Sequence, residues 1–510
     1  MKNKTIYKIL SILMIFALII TMANISAYAS VSSSDTSSIT ISGVESGVTV
    51  TLYRIATVNV DSSGNVLDPE YTWVSEVEDW LNDSETYSSY ADIETFASTV
   101  ASDTSVASSF YSALSAAISS GIITLKETES ATATSDTVTI SGVEMGLYLI
   151  IIEGGSLVYS PNVVSVAPEY DTNSSAWALP TSYDVEAKTS TLTMTKTVTD
   201  DSSTSDNYAI GDTINYTIVA SVPTYGEGAV YTTYKISDSL DTGLTLNTSS
   251  ITVSGTATEG SSTILTEGTE YTAETSGNSF TLTFDYDKIS SYSTITVTYT
   301  ATLNQNLVVD GSGNGNTATL TYSNNPYTDS TTKEISSGEI NVYTYGIEVT
   351  KTDKSTGSAI SGVQFTLSTK DSEDNYTVLS FVYNSETGIY YLAGSDDTNT
   401  TTTLTTDSNG KLYIYGLDEG TYYLQETYAP GDYIIDTDYV EVEIVDEDTD
   451  GSIEKDETET SSGVYSIGIT NKTGFSLPVT GGVGTVIFII VGAILIILGV
   501  LMKVSKRRKD

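Results

Sequence analysis

Between residues 31 and 473 apolar residues alternate with Thr, Ser and Tyr at a period of two. Thr281-Leu282-Thr283-Phe284, Thr294-Ile295-Thr296-Val297-Thr298-Tyr299 and Val440-Glu441-Val442-Glu443-Ile444 are examples. β-Branched and aromatic residues at this period, broken by Gly, Asn and Asp, predict antiparallel strands. Short strands between regular turn signals predict an all-β chain of tandem immunoglobulin-like sandwiches. One stretch departs from the pattern. From Asp92 to Ser120, Ile93, Phe96, Ala97 and Val100, then Phe110, Leu114, Ala117 and Ile118, recur at helical spacing. They predict one or two helices inserted into the first module. Restarts of the pattern set the modules at residues 30–189, 190–345 and 346–473. The string Ile-Ser-Gly-Val recurs at Ile41, Ile140 and Ile360, which hints at shared turn chemistry in the first and third modules.

The two ends read differently. Lys2, Lys4 and Lys8 precede the apolar run Ile9–Met22, and Ala27-Tyr28-Ala29 supplies a small-x-small cleavage site. Residues 1–29 therefore read as a secretory signal peptide, with the mature chain starting near Ser30. At the other end Val483–Met502 is long and apolar enough to form a transmembrane helix. Lys503, Lys506, Arg507, Arg508 and Lys509 follow it and mark the cytoplasmic side. Immediately before the span stands Leu477-Pro478-Val479-Thr480-Gly481. This motif, span and basic tail, in that order over 477–510, resemble the sorting signal of Gram-positive sortase substrates. The resemblance implies cleavage between Thr480 and Gly481 by a membrane transpeptidase. Thr480 would pass through an acyl-enzyme to an amide, leaving a secreted, wall-anchored chain.

Composition removes most chemistry from consideration. The 510 residues carry 21 Lys+Arg against 65 Asp+Glu, a formal net charge of -44, so nucleic acid is not an expected partner. There is no Cys and no His, which excludes disulfides, thiolate metal sites and a Ser-His-Asp triad. No cofactor is expected. A carboxylate-pair glycosidase has no support beyond abundant Asp and Glu, so the chain reads as non-enzymatic. Only twelve Lys and one Arg lie between residues 30 and 480, so each Lys position carries information.

The third module opens Ile347-Glu348-Val349-Thr350-Lys351-Thr352-Asp353 and closes Ile469-Thr470-Asn471-Lys472. Between them runs Gly420-Thr421-Tyr422-Tyr423-Leu424-Gln425-Glu426-Thr427-Tyr428-Ala429-Pro430-Gly431. Over nearly its whole length it resembles a B-type repeat of collagen-adhesin (Cna) proteins. The resemblance implies an intramolecular isopeptide bond from Lys351 to Asn471 with Glu426 as the catalytic carboxyl. The physical chemistry is coherent: burial in an apolar core lowers a lysine pKa, freeing a neutral amine, and raises that of a carboxyl, which can then shuttle protons as ammonia leaves.

The second module opens Met194-Thr195-Lys196-Thr197-Val198. Lys235-Ile236-Ser237-Asp238-Ser239-Leu240 and Gly315-Asn316-Thr317-Ala318 come later. The order resembles the fimbrial isopeptide-formation domain of pilus shaft proteins. It implies a Lys196–Asn316 bond with Asp238 as the acid, and Asn324 is a competing acceptor. The bland reading of Asp238 is a turn residue after a strand. The first module has no Lys between Ser30 and Leu125, so two such bonds are expected, not three.

Near the end of the first module, Trp177 is followed by Tyr183-Asp184-Val185-Glu186-Ala187-Lys188. This resembles the pilin motif of shaft subunits, with Glu186-Ala187 where Tyr-Pro usually precedes the Lys. It implies that Lys188 attacks the Thr480 acyl-enzyme of another subunit. The expected function is thus the major (shaft) pilin of a sortase-assembled pilus. Expected partners are a sortase, further copies of the chain, accessory pilins and peptidoglycan, with a host ligand open. The alternative is a non-polymerising wall-anchored adhesin or an accessory pilin at base or tip. Asp446-x-Asp448-x-Asp450-Gly451, ending at Glu457, fits the calcium-loop pattern. Its flanks read as strands rather than the helices such loops need, so an acidic hairpin loop is the expectation.

Overall fold

A computed structural model of the chain describes residues 31–474 except 33, 173–175, 199–204, 227–228, 328–330, 456–457 and 460–462, together with Ile496. The signal peptide, the 477–481 motif, the apolar span and Glu457 lie outside the described residues. No helix among the described residues is long and apolar enough to cross a membrane.

Strand pairing divides the described chain into three groups that share no sheet: strands from Thr36 to Ser190, from Met194 to Tyr343 and from Tyr345 to Asn471. In the first group Thr36–Ser42 lies between Thr137–Glu144 and Ser182–Glu186, the latter parallel to it. A second sheet is built on Thr49–Val60 and Gly146–Glu153. Helices Ile93–Ser102 and Thr104–Ser119 fill the stretch expected to be helical. A third helix, Ser75–Asp83, precedes it and was not foreseen. The helices bury Phe96 and Phe110, whose rings stand 4.5 Å apart, against Trp73. The glycines of the three Ile-Ser-Gly-Val strings, Gly43, Gly142 and Gly362, all have positive φ, at 74°, 81° and 77°, a conformation open to glycine at no steric cost. Ile360 nonetheless lies outside any strand, whereas Ile41 and Ile140 lie within strands.

In the second group one sheet has the order Met194–Val198, Ile214–Ser221, Tyr292–Leu303, Leu244–Ala257 and Ser262–Ile264. The facing sheet centres on Asn314–Ser323 between Tyr234–Leu240 and Thr332–Tyr343. Their inward residues, among them Val198, Ile218, Ile236, Val297 and Leu320, form one core.

The third group is a sandwich whose first strand, Tyr345–Asp353, lies between Lys411–Leu417 and the last strand, Val464–Asn471. First and last run parallel. The facing sheet carries Gln364–Lys370, Gly420–Tyr428 and Val440–Ile444.

Apolar and polar contacts both cross the seams, with Val158 of the first group and Tyr391 of the third joining the second group's core. Between first and second groups, Tyr322 donates to the Ser156 carbonyl at 2.6 Å and Asn324 Nδ2 to the Gly155 carbonyl at 3.1 Å. Between second and third, the Ile210 amide donates to the Gly416 carbonyl and Asn207 Nδ2 to Glu419, and the Tyr345 hydroxyl oxygen lies 2.7 Å from Asn207 Oδ1. Asp418, at the tip between strands Lys411–Leu417 and Gly420–Tyr428, faces this seam. Burial first, then the charges of Asp212, Glu419 and Asp206, raise its pKa to about 6.

Candidate functional site: two buried lysines

The alternation that builds each strand also decides which side chains enter the core. In Tyr345–Asp353 the inward positions are Ile347, Val349, Lys351 and Asp353. In Met194–Val198 they are Met194, Lys196 and Val198. Each lysine thus occupies an apolar phase and is buried, Lys351 at 0% and Lys196 at 3% exposure. An ammonium so placed needs a partner, and each has a carboxylate.

Lys351 Nζ donates to Glu426 Oε2 at 2.7 Å and to Asn471 Oδ1 at 2.6 Å. Asn471 Nδ2 donates to Glu426 Oε1 at 2.6 Å, which closes a three-membered ring of contacts. Glu426 comes from the facing sheet, inward in the series Tyr422, Leu424, Glu426. Phe365 lies under the ammonium, 5.5 Å from it. Burial lowers the Lys351 pKa, and the hydrogen bond and charge of Glu426 only partly oppose that. A primary amine, a carboxyl and a carboxamide are held here in mutual contact, out of water.

In the second module Lys196 Nζ donates to Asp238 Oδ2 at 2.5 Å, with both side chains buried. Asp238 lies within the strand Tyr234–Leu240, inward with Ile236 and Leu240, and not at a turn. Asn316 is inward on the neighbouring strand, opposite Leu240. Tyr299, from the facing sheet, donates to Asp238 Oδ1 at 2.9 Å and accepts from Asn316 Nδ2 at 2.9 Å. Tyr216 stacks on Tyr299 with ring centres 5.3 Å apart. Burial pulls the Lys196 pKa down to about 8 and pushes that of Asp238 up, against their mutual attraction. Both shifts favour the pair in its neutral form, amine beside carboxylic acid. The competing acceptor Asn324 stands elsewhere, with its amide on Gly155.

The sequence reading missed Tyr299. Its phase with Ile295, Val297 and Ala301 marked it as core, but nothing in the sequence told it from the chain's other tyrosines.

Lys188 is out of phase with the inward Tyr183, Val185 and Ala187, and is exposed. It pairs with Ser160 on the strand Val158–Ser160. The buried Asn162 donates to the Glu186 carbonyl at 2.9 Å and pins the segment just before it. Neighbouring protein lowers the Lys188 pKa.

The carboxylate oxygens of Asp446, Asp448 and Asp450 lie within 4.8 Å of one another. Asp446 is buried and accepts from Tyr345 at 2.6 Å and from the Gly451 amide at 2.8 Å. Strands Val440–Ile444 and Glu454–Lys455 flank the loop.

Family models match three parts of the chain. Residues 210–326 match the Gram-positive pilin backbone subunit 2, Cna-B-like domain. Residues 345–459 match a prealbumin-like fold domain, and residues 469–510 the LPXTG cell wall anchor motif. No curated protein matches the chain in sequence. Among solved structures, the T6 backbone pilin of serotype M6 Streptococcus pyogenes is similar at 22% identity and TM-score 0.59, over 87% of this chain and 100% of that one. The Corynebacterium diphtheriae major pilin SpaA is similar at 15% identity and TM-score 0.50, over 86% and 100%. These likenesses give the fold: tandem β-sandwiches of the prealbumin-like pilin type. The chain thus carries a Gram-positive pilin backbone Cna-B-like domain, a prealbumin-like fold domain and an LPXTG cell wall anchor motif, in a fold like that of the T6 backbone pilin.

Proposed function

We propose that the chain is the structural major subunit of a covalent, wall-anchored surface pilus, stiffened by Lys351–Asn471 and Lys196–Asn316 isopeptide bonds. The closed contact ring of Lys351, Glu426 and Asn471 carries this reading. Neutral Lys351 attacks the Asn471 side-chain carbonyl carbon. The C–N bond to the amide nitrogen breaks, and ammonia leaves with a proton taken from the attacking nitrogen by way of Glu426. A new amide and one ammonia result, and the carboxyl is restored. No external enzyme, cofactor or redox partner enters, so the only catalysis is of the chain's own cross-linking. The LPXTG anchor makes a sortase the natural external partner. Thr480 of one copy then joins Lys188 of the next, a role in keeping with the exposure of Lys188 where Lys196 and Lys351 are buried.

The intact mass of secreted residues 30–480 tests the cross-links. The expected mass is lighter than the plain sequence by two ammonias, with one regained in Asp238→Ala and one in Glu426→Ala. A mass equal to the plain sequence would refute both bonds.

A further inference from the structure

The two buried clusters meet one requirement in different ways. An acid that serves transamidation must reach both the attacking amine and the departing nitrogen. Glu426 does so directly, Oε2 on Lys351 and Oε1 on Asn471. Asp238 is one methylene shorter and shares a sheet with Asn316, pairing with Ala318 two residues away. Among the described residues no hydrogen bond joins Asp238 to Asn316. The Tyr299 hydroxyl spans that gap, donating to Asp238 Oδ1 and accepting from Asn316 Nδ2. Asn316 Oδ1 is buried with no hydrogen-bond partner. The amide is thus held by the nitrogen that must leave, through a hydroxyl whose other contact is the acid.

We propose that Tyr299 is a catalytic residue of the second cluster, passing a proton from Asp238 to the Asn316 amide nitrogen as that nitrogen departs. The inference rests on the isopeptide reading above. The step balances. Neutral Lys196 adds to the Asn316 carbonyl carbon, giving a tetrahedral centre with a positive nitrogen and an oxyanion. As the Asn316 nitrogen turns tetrahedral and its lone pair becomes free, both hydrogen bonds reverse: the Tyr299 hydroxyl turns to give its proton to the departing nitrogen, and its oxygen takes the Asp238 proton. One proton of the new N–C bond's nitrogen moves to Asp238 Oδ2. The carbonyl re-forms as the C–N bond breaks, ammonia leaves, and Tyr299 and Asp238 end as they began. Burial holds the Tyr299 phenol far above its ordinary range, so it serves as a conduit that keeps a proton and not as a separate base.

Tyr299→Phe removes only the hydroxyl and keeps the ring that stacks on Tyr216 and meets the Phe280 edge. In the secreted chain, linked peptides for Lys196–Asn316 and Lys351–Asn471 are quantified at intervals after synthesis. Tyr299→Phe should slow the first link about 100-fold and leave the second at its wild-type rate. Equal rates for the first link would overturn the proposal. A wild-type chain without that link would instead refute the bond in this module, and the proposal with it. Site-specific 3-fluorotyrosine at position 299, which keeps ring and hydroxyl, should restore the link. A chain that stays slow despite the restored hydroxyl would also count against the relay.

Discussion

Lys351 and Asn471 sit on neighbouring parallel strands but do not face each other: Lys351 is in register with Ile469, and Asn471 with Asp353. The lysine side chain runs diagonally across the pair to bring Nζ within 2.6 Å of Asn471 Oδ1. A short acceptor two positions further along lets a long, flexible donor reach it while both remain inward.

That diagonal closes a loop of 120 residues, and its removal has a measurable cost. Lys351→Met abolishes the proposed bond and leaves the buried Glu426 only its contact with Asn471. By the loop-entropy relation for disulfides it should lose about 4–5 kcal/mol. Thermal unfolding of the third module should move down accordingly. Glu426→Ala should fall at least as far, because it also strands the buried Lys351 ammonium. Equal melting of wild type and Lys351→Met would show that the link adds no stability.

Asn316 and Asn324 separate chemistry from docking. Asn316→Ala should abolish the Lys196 cross-link. Asn324→Ala should leave it intact while costing about 1 kcal/mol of contact with the first module. Peptide mapping reads the first effect and urea unfolding the second.

Asp418 gives the seam between second and third modules a pH dependence. Its pKa in the folded chain is raised from 3.8 to about 6, so between those values the folded chain holds a proton that the unfolded chain has released. Stability contributed by the neutral acid is complete below about pH 4 and is lost as pH rises through 6. Asp418→Asn should therefore stabilise the folded chain at pH 7.5 by about 1–2 kcal/mol after allowance for solvent screening, read as a higher melting temperature. It should make no difference at pH 3.5. A gain of equal size at both pH values would point to packing instead.

Lys188→Ala should abolish high-mass ladders in wall extracts while leaving the monomer secreted and internally cross-linked. Lys188→Arg should fail equally, because a guanidinium stays protonated. Persistent ladders in either strain would remove Lys188 from polymerisation and favour an accessory or adhesive role.

Lys351 and Lys196 were legible along the chain through the motifs around them, which resemble known isopeptide-forming domains. The structure adds the physical reason, the parity by which strands sort side chains: Lys351 is in phase with the inward Ile347 and Val349, and Lys196 with Met194 and Val198. Glu426 and Asp238 follow the same rule. Parity does not say which inward residues of one sheet meet those of the other. Tyr299 was therefore invisible, one inward tyrosine in a chain with 36. The choice between Asn316 and Asn324 also needed the facing sheet and the neighbouring module. The helix Ser75–Asp83 escaped for a different reason: at nine residues it is too short for a 3.6-residue period to stand out.

The parallel pairing of first and last strands fixes how the third module carries a load. The polypeptide enters at one end of this strand pair and leaves at the other, so a pull along the fibre slides the two strands past each other and cannot peel them apart. With an amide between Lys351 and Asn471, tension crosses from one strand to the other at that point. The intervening loop, about 400 Å if drawn out straight, is bypassed. Under fluid drag a module linked in this way would transmit force as a short strut, without drawing out the chain between its first and last strands.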